Sequence, residues 1–383
     1  MPRSLSRLLR SFVLLAGLAA IATSLSCSQV QPPSPDTIVN EVAAVPTDAE
    51  LKQRLDEALD YTFNERRLNT KDHFAWQVVH GIMAFGPNYP IEHEGKDVKA
   101  LTYLVEGGKM KGWEFEPGET LDSGRQGLRA QLQIGSKQGQ GHPDQWLGYF
   151  SMCNIPLTQT IQVDDHTYTL KDYLEQAMRD TARNPNGEFS WTVMALSEYY
   201  PTDLKWKSGG IDYSLEQLMQ HEAEQDILTS ACGGTHRLTA LAVARNRHLA
   251  KGGQLTGGWK AADDTIQKYL VEAQKLQNAN GSFSSNYFER SGSVADASEM
   301  LNKSGHTFEF VVTAATDEQL HDPWIKRAAL SMCDLVRKTK DLPVEIGGVY
   351  HGSHGMVVYR ERLFGQRSYP ADATKETEKV AGK

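Results

Sequence analysis

The stretch SGHTFEFVV, Ser304–Val312, decides the fold, because four others are built like it. They are KDHFAWQVV (Lys71–Val79), GHPDQWLGYF (Gly141–Phe150), GGTHRLTAL (Gly233–Leu241) and GSHGMVVYR (Gly352–Arg360). Each sets a histidine behind or beside Gly, Asp, Ser or Thr, at the head of an apolar run. A sixth run, EFSWTVMALSEYY, fits the same frame with Glu188 in the histidine's place. These runs are aromatic, rich in small residues and poor in charge, as a helix buried on most sides must be.

Between them lie stretches of another kind. DAELKQRLDEALDYTFNERR repeats leucine at i, i+4 and i+8 with charges between, which predicts an amphipathic helix with one wet face. TLKDYLEQAMRDTARN, SLEQLMQHEAEQDIL, DDTIQKYLVEAQKLQN and DPWIKRAALSMCDLVRK share that character, and DVKALTYLVEGG is a shorter sixth. Aligning the inner runs gives a column of His73, His142, Glu188, His236, His306 and His354. Its members recur at 46–48 residues, except where two polar, Gly-rich insertions widen the gap to about 70. A fixed period of two helices means stacked hairpins. Six of them predict an all-α, (α/α)6 toroid of inner helices ringed by outer ones, with an open solenoid of the same repeat as the competitor.

Asp72, Gly141, Gly187, Thr235, Gly305 and Ser353 precede the column and read as helix N-caps. On that reading the column sits in the first turns of six parallel inner helices, and five imidazoles and a carboxylate gather at one mouth. The positive ends of the helix dipoles converge there and favour neutral histidine or an anionic ligand. Candidate ligand-binding residues are therefore His73, His142, Glu188, His236, His306 and His354, with Arg237, Glu309 and Tyr359 on the same helices. For a metal, zinc through His236, His306 and His354 is the expectation. The plainer alternative is that the column only caps helices. Both insertions, one carrying GWEFEPG, are expected to fold over the mouth.

The N-terminus reads as an export signal over residues 1–26: Arg3, Arg7 and Arg10 precede the apolar SFVLLAGLAAIATSLS. Ser24, Leu25 and Ser26 before Cys27 resemble a bacterial lipoprotein cleavage box, which predicts lipid attachment at Cys27 and a membrane-anchored protein of the cell envelope, with ordinary cleavage or an uncleaved anchor as the alternatives. A Pro-rich tether (27–48), the toroid domain (49–366) and a disordered polar tail (367–383) would follow. Cys153, Cys232 and Cys333 show no CxxC spacing and read as small buried residues. A net charge of −8 without a basic run argues against nucleic acid as a partner.

QNANGSFSSNYF, Gln277–Phe288, resembles the Gln-x-x-x-Gly-x-aromatic repeat of the terpenoid cyclase and protein prenyltransferase toroids. The resemblance implies an α/α toroid over about 49–364, and it does not carry an activity. The Asp-x-Cys pair that holds zinc in prenyltransferases is missing, although His306 and His236 occupy comparable places for that family's histidine. VDDHTY and AADDTI are not the cyclases' acidic motif, and ACGGTHR lacks the Glu-Gln that a thioester toroid needs. The expected function is ligand binding at the His/Glu-lined cavity, the ligand being a small molecule, carbohydrate or protein. The alternatives are a carbohydrate-active envelope enzyme, either a polysaccharide lyase or a glycosidase with paired carboxylates, and a purely structural module.

Overall fold

In the computed structural model, residues 42–184 and 187–369 are described. The signal, Cys27, most of the tether and the tail beyond residue 369 lie outside them. Among the described residues the chain is mostly helical, with small two-stranded sheets. One set of helices comprises α1 (Asp48–Glu65), α3 (Ala100–Val105), α5 (Leu170–Asp180), α7 (Leu215–Glu224), α9 (Gly257–Lys275) and α11 (Pro323–Lys338). The other comprises α2 (Ala75–Phe85), α4 (Gln145–Met152), α6 (Ser190–Tyr199), α8 (Thr235–Ala250), α10 (Ala297–Ala314) and α12 (Ile346–Phe364).

Burial separates the two sets. Every residue of α2 except Trp76 and Gln77 is buried, and α4 and α6 are almost as dry, whereas α1 buries Leu51, Leu55, Leu59 and Phe63 and leaves its charges wet. Each even-numbered helix packs on the next in chain order, and α12 packs on α2. The odd-numbered helices lie against this set: α9 on α8, α1 and α11 on α12.

Three β-hairpins punctuate the first half. They pair β1 (Pro90–His93) with β2 (Lys96–Lys99), β5 (Thr160–Val163) with β6 (His166–Thr169), and β7 (Lys205–Ser208) with β8 (Ile211–Ser214). Each follows an inner run and leads directly into α3, α5 or α7. Two-residue turns close them, and Glu94–Gly95 and Gly209–Gly210 have positive φ at both positions, as the hairpin turn matching strand twist requires. β3 (Phe115–Thr120) and β4 (Gln126–Ala130) form a fourth hairpin inside the first insertion. The VDDHTY stretch, Val163–Tyr168, carries the β5–β6 turn.

The helix starts differ from those read at the column. The N-caps are Phe74, Asp144, Phe189, Gly234, Asp296 and Glu345. His73, His142 and Glu188 precede their helices, His236 is in a first turn, and His306 and His354 stand in mid-helix. Gly305 serves close approach rather than capping. A Cβ there would lie 2.8 Å from the Gly348 carbonyl oxygen and 3.0 Å from the Gly352 nitrogen, so glycines let the α10 and α12 backbones touch.

Both insertions reach inner-helix starts. The Lys111 and Gln138 carbonyls accept the free N–H groups of Ala75 and Trp76 at the head of α2. In the second insertion the Tyr287 ring lies on Gly233, just before α8. At the far end, Arg367 binds both Asp60 oxygens at 2.7 Å and the Tyr369 ring packs on Phe63 and Phe85, so the first residues assigned to the tail are packed.

Candidate functional site

Five imidazoles meet where the even-numbered helices converge. The His236 ring lies 5.2 Å from His142, 5.2 Å from His306 and 5.3 Å from His351, centroid to centroid. His351 stands 4.0 Å from His306 and 5.1 Å from His80. Trp191 and Tyr149 fill the wall beside them. His80, His236, His306 and His351 are all buried.

The hydrogen bonds fix most of the tautomers, because a carbonyl or carboxylate can only accept. His306 donates Nδ1–H to the Asn302 carbonyl one turn back at 2.8 Å. His351 donates Nδ1–H to Glu309 Oε2 at 2.6 Å, and His142 donates its own to Glu188 Oε2 at 2.9 Å. In each of these rings Nδ1 makes the bond, which leaves Nε2 for another partner. His80 is saturated instead: Nδ1 binds the Trp76 carbonyl and Nε2 accepts the Tyr149 hydroxyl at 3.0 Å. His236 is the opposite case, since neither ring nitrogen has a partner.

Cys232 completes the group. Its Sγ and one ring nitrogen each of His236 and His306 lie within 4.8 Å of one another. A left-handed backbone places the sulfur there, with φ/ψ of 50°/40° at Cys232 and 60°/28° at Gly233 before α8 begins. That conformation is costly for cysteine, and only glycine fits at 233, where a Cβ would fall 2.2 Å from the Tyr287 ring. Burial alone would push the Cys232 thiol up, but the imidazoles of His236 and His306 hold it well below the ordinary thiol range. Burial drives His236 and His351 down to about 4, despite the raising effect of Cys232 on the first and of Glu309 on the second. His306 also suffers desolvation, yet Cys232 and the Asn302 carbonyl lift it to about 9.

The other residues read from sequence are placed as follows. His73 accepts the Asn69 N–H through Nδ1 at 3.1 Å, which closes the turn before α2, and has no ring contact with the cluster. His354 donates to Glu309 Oε1 at 2.6 Å and lies outside the group formed with Cys232. Glu309, read as a cavity residue, is buried and spends both oxygens on imidazoles. Burial opposes its charge, but His351 and His354 hold the carboxyl well below the usual range. Arg237 pairs with buried Glu222 at 2.6 Å, and Glu222 caps α6 through Phe189 N–H and Ser190 Oγ, so this pair ties three helices together. Tyr359 donates to the Leu320 carbonyl at 3.1 Å.

Sequence reasoning missed Cys232, His351 and His80. One had a signal: His351 stands three residues before His354, a spacing that shares a helical face. No family model, curated protein or solved structure compared with the chain matches it.

Proposed function

We propose that the chain is an exported α/α-toroid protein, anchored through a lipid on Cys27, which takes a ligand into the imidazole-lined centre. The toroid reading is supported by the packing order, in which each inner helix meets the next and α12 returns to α2. Among the described residues no helix is long and apolar enough to cross a membrane. If Cys27 is the anchor, Cys27→Ala should move the protein from the membrane fraction to the soluble one, or stall its processing. Unchanged fractionation and unchanged mass would remove the anchor from the proposal.

One observation carries the ligand reading: a buried His236 with both nitrogens unpaired, packed against the rings of His142, His306 and His351. A buried polar group without a partner costs about 1–3 kcal/mol, so a bound group that pairs with it stabilises the fold. Glu188 and Glu309, the carboxylates that a glycosidase would use, are both bonded to histidine, which favours a binding or Lewis-acid centre over paired-carboxylate chemistry. The test is native mass spectrometry of untagged protein together with His236→Leu. The wild type should carry mass beyond its polypeptide, and the variant should lose that mass and melt lower. A wild type of bare mass, with a variant of higher Tm, would mean that the orphan is only a defect.

A further inference from the structure

This inference rests on the ligand reading and names the ligand. We propose that the centre is a zinc site, with the Cys232 thiolate, His236 and His306 as protein ligands and a fourth position left for water or a substrate atom.

The first argument is distance. Around tetrahedral zinc, Zn–S of about 2.3 Å and Zn–N of about 2.0–2.1 Å put ligand atoms roughly 3.3–3.6 Å apart. The three donor atoms already lie within 4.8 Å of one another. Side-chain rotations of an ångström or so close the remainder, and the rings need not change neighbours.

The second argument is the outer shell. A metal-binding histidine usually donates its other N–H to a carbonyl or carboxylate, which sets tautomer and orientation. His306 does so to Asn302, leaving Nε2 for the metal. Neither ring nitrogen of His236 is hydrogen-bonded, so either can ligate. His351, fixed by Glu309, lies 4.0 Å over the His306 ring and holds it in place.

The third argument is charge. Glu309 is a buried carboxylate whose hydrogen-bonded partners are two imidazoles. His142 is likewise bonded to Glu188, and Arg237 is paired with Glu222, so carboxylates stand behind the rings around the group, an environment that favours a bound cation.

The donor set chooses the metal. One soft thiolate with two imidazoles suits zinc and excludes calcium or magnesium, which take oxygen. Three protein ligands rather than four mark a centre with an exchangeable position. Cys232, at its rim, is only partly buried beside Tyr287.

The experiment uses the full chain without a histidine tag. Elemental analysis should find about one zinc per chain, or uptake of one zinc by protein stripped with chelator. Cobalt substitution should give a thiolate-to-cobalt charge-transfer band in the near ultraviolet. That band should vanish in Cys232→Ser and persist in Cys153→Ser, whose thiol lies outside the group. His306→Ala should weaken zinc binding by at least about 100-fold, beyond the 10–100-fold cost of an outer-shell change. Cobalt bound without the band would overturn thiolate ligation. If the chain takes up no zinc yet carries an organic mass, the zinc proposal falls and the ligand reading stands. If it takes up no zinc and has the bare polypeptide mass, both fall.

Discussion

Cys232→Ala is expected to abolish zinc uptake and to lower the melting temperature by roughly 6 °C in zinc-containing buffer. A ligand present at about 1,000 times its Kd stabilises the folded state by about 4 kcal/mol. For a domain of this size each kcal/mol moves Tm by roughly 1.5 °C. The comparison carries its own control. Chelator should bring the wild type down toward the variant and leave the variant where it is, because the variant has no metal to lose. Equal melting temperatures in both buffers would show that the sulfur does no more than fill space. Alanine tolerates the left-handed backbone at 232 about as poorly as cysteine does, so the substitution leaves that strain in place.

Glu309→Gln should be the most damaging conservative change in the interior, at about 1.5–3 kcal/mol, the contribution of a hydrogen bond to a buried charged group. One Glu309 oxygen serves His351 and the other His354. Glutamine keeps one acceptor and turns an NH2 toward the second N–H, so one imidazole must change tautomer or lose its bond. The pH dependence follows from the direction of the shift. The folded carboxyl is held well below the ordinary value by the two imidazoles, against the effect of burial. Its stabilisation is therefore complete above the unfolded value of about 4.3 and is lost as pH falls from there toward the folded value. The difference in unfolding free energy between wild type and Glu309→Gln should be flat from neutral pH down to about 5 and then shrink. A difference that stayed constant through pH 3 would mean that the carboxylate charge contributes nothing.

Much of the helical arrangement is legible in the sequence, since burial on all sides and burial on one side write different patterns. HTFEFVVTAAT has no charged face beyond Glu309, and α10 is buried along that stretch; DAELKQRLDEAL shows its leucine stripe, and α1 buries those leucines. The hairpins were obscured because their four-residue strands, such as KWKS and IDYS, are too short and polar to alternate visibly. Gly209–Gly210 and Glu94–Gly95 were the readable signals.

The site was legible as a neighbourhood rather than as a residue set. His142, His236 and His306 do meet: His236 and His306 lie on buried parts of α8 and α10, and His142 lies in the turn that leads into α4. The column misjudged height. Gly305 and Ser353 looked like caps, but α10 and α12 start at Ala297 and Ile346, and the glycines serve helix contact. His351 and His80 were therefore passed over, each lying on the helix body away from the aligned position. Cys232 was read as filler because three successive left-handed residues, Cys232, Gly233 and Gly234, turn its sulfur back toward the imidazoles. No propensity or period encodes that turn.

X-ray absorption at the zinc edge tests the central claim most directly, because it counts the atoms around the metal. The account predicts one sulfur at about 2.3 Å and two imidazole nitrogens at about 2.0–2.1 Å, with at least one lighter atom completing the shell. A first shell without sulfur, or one of oxygen alone, would contradict it.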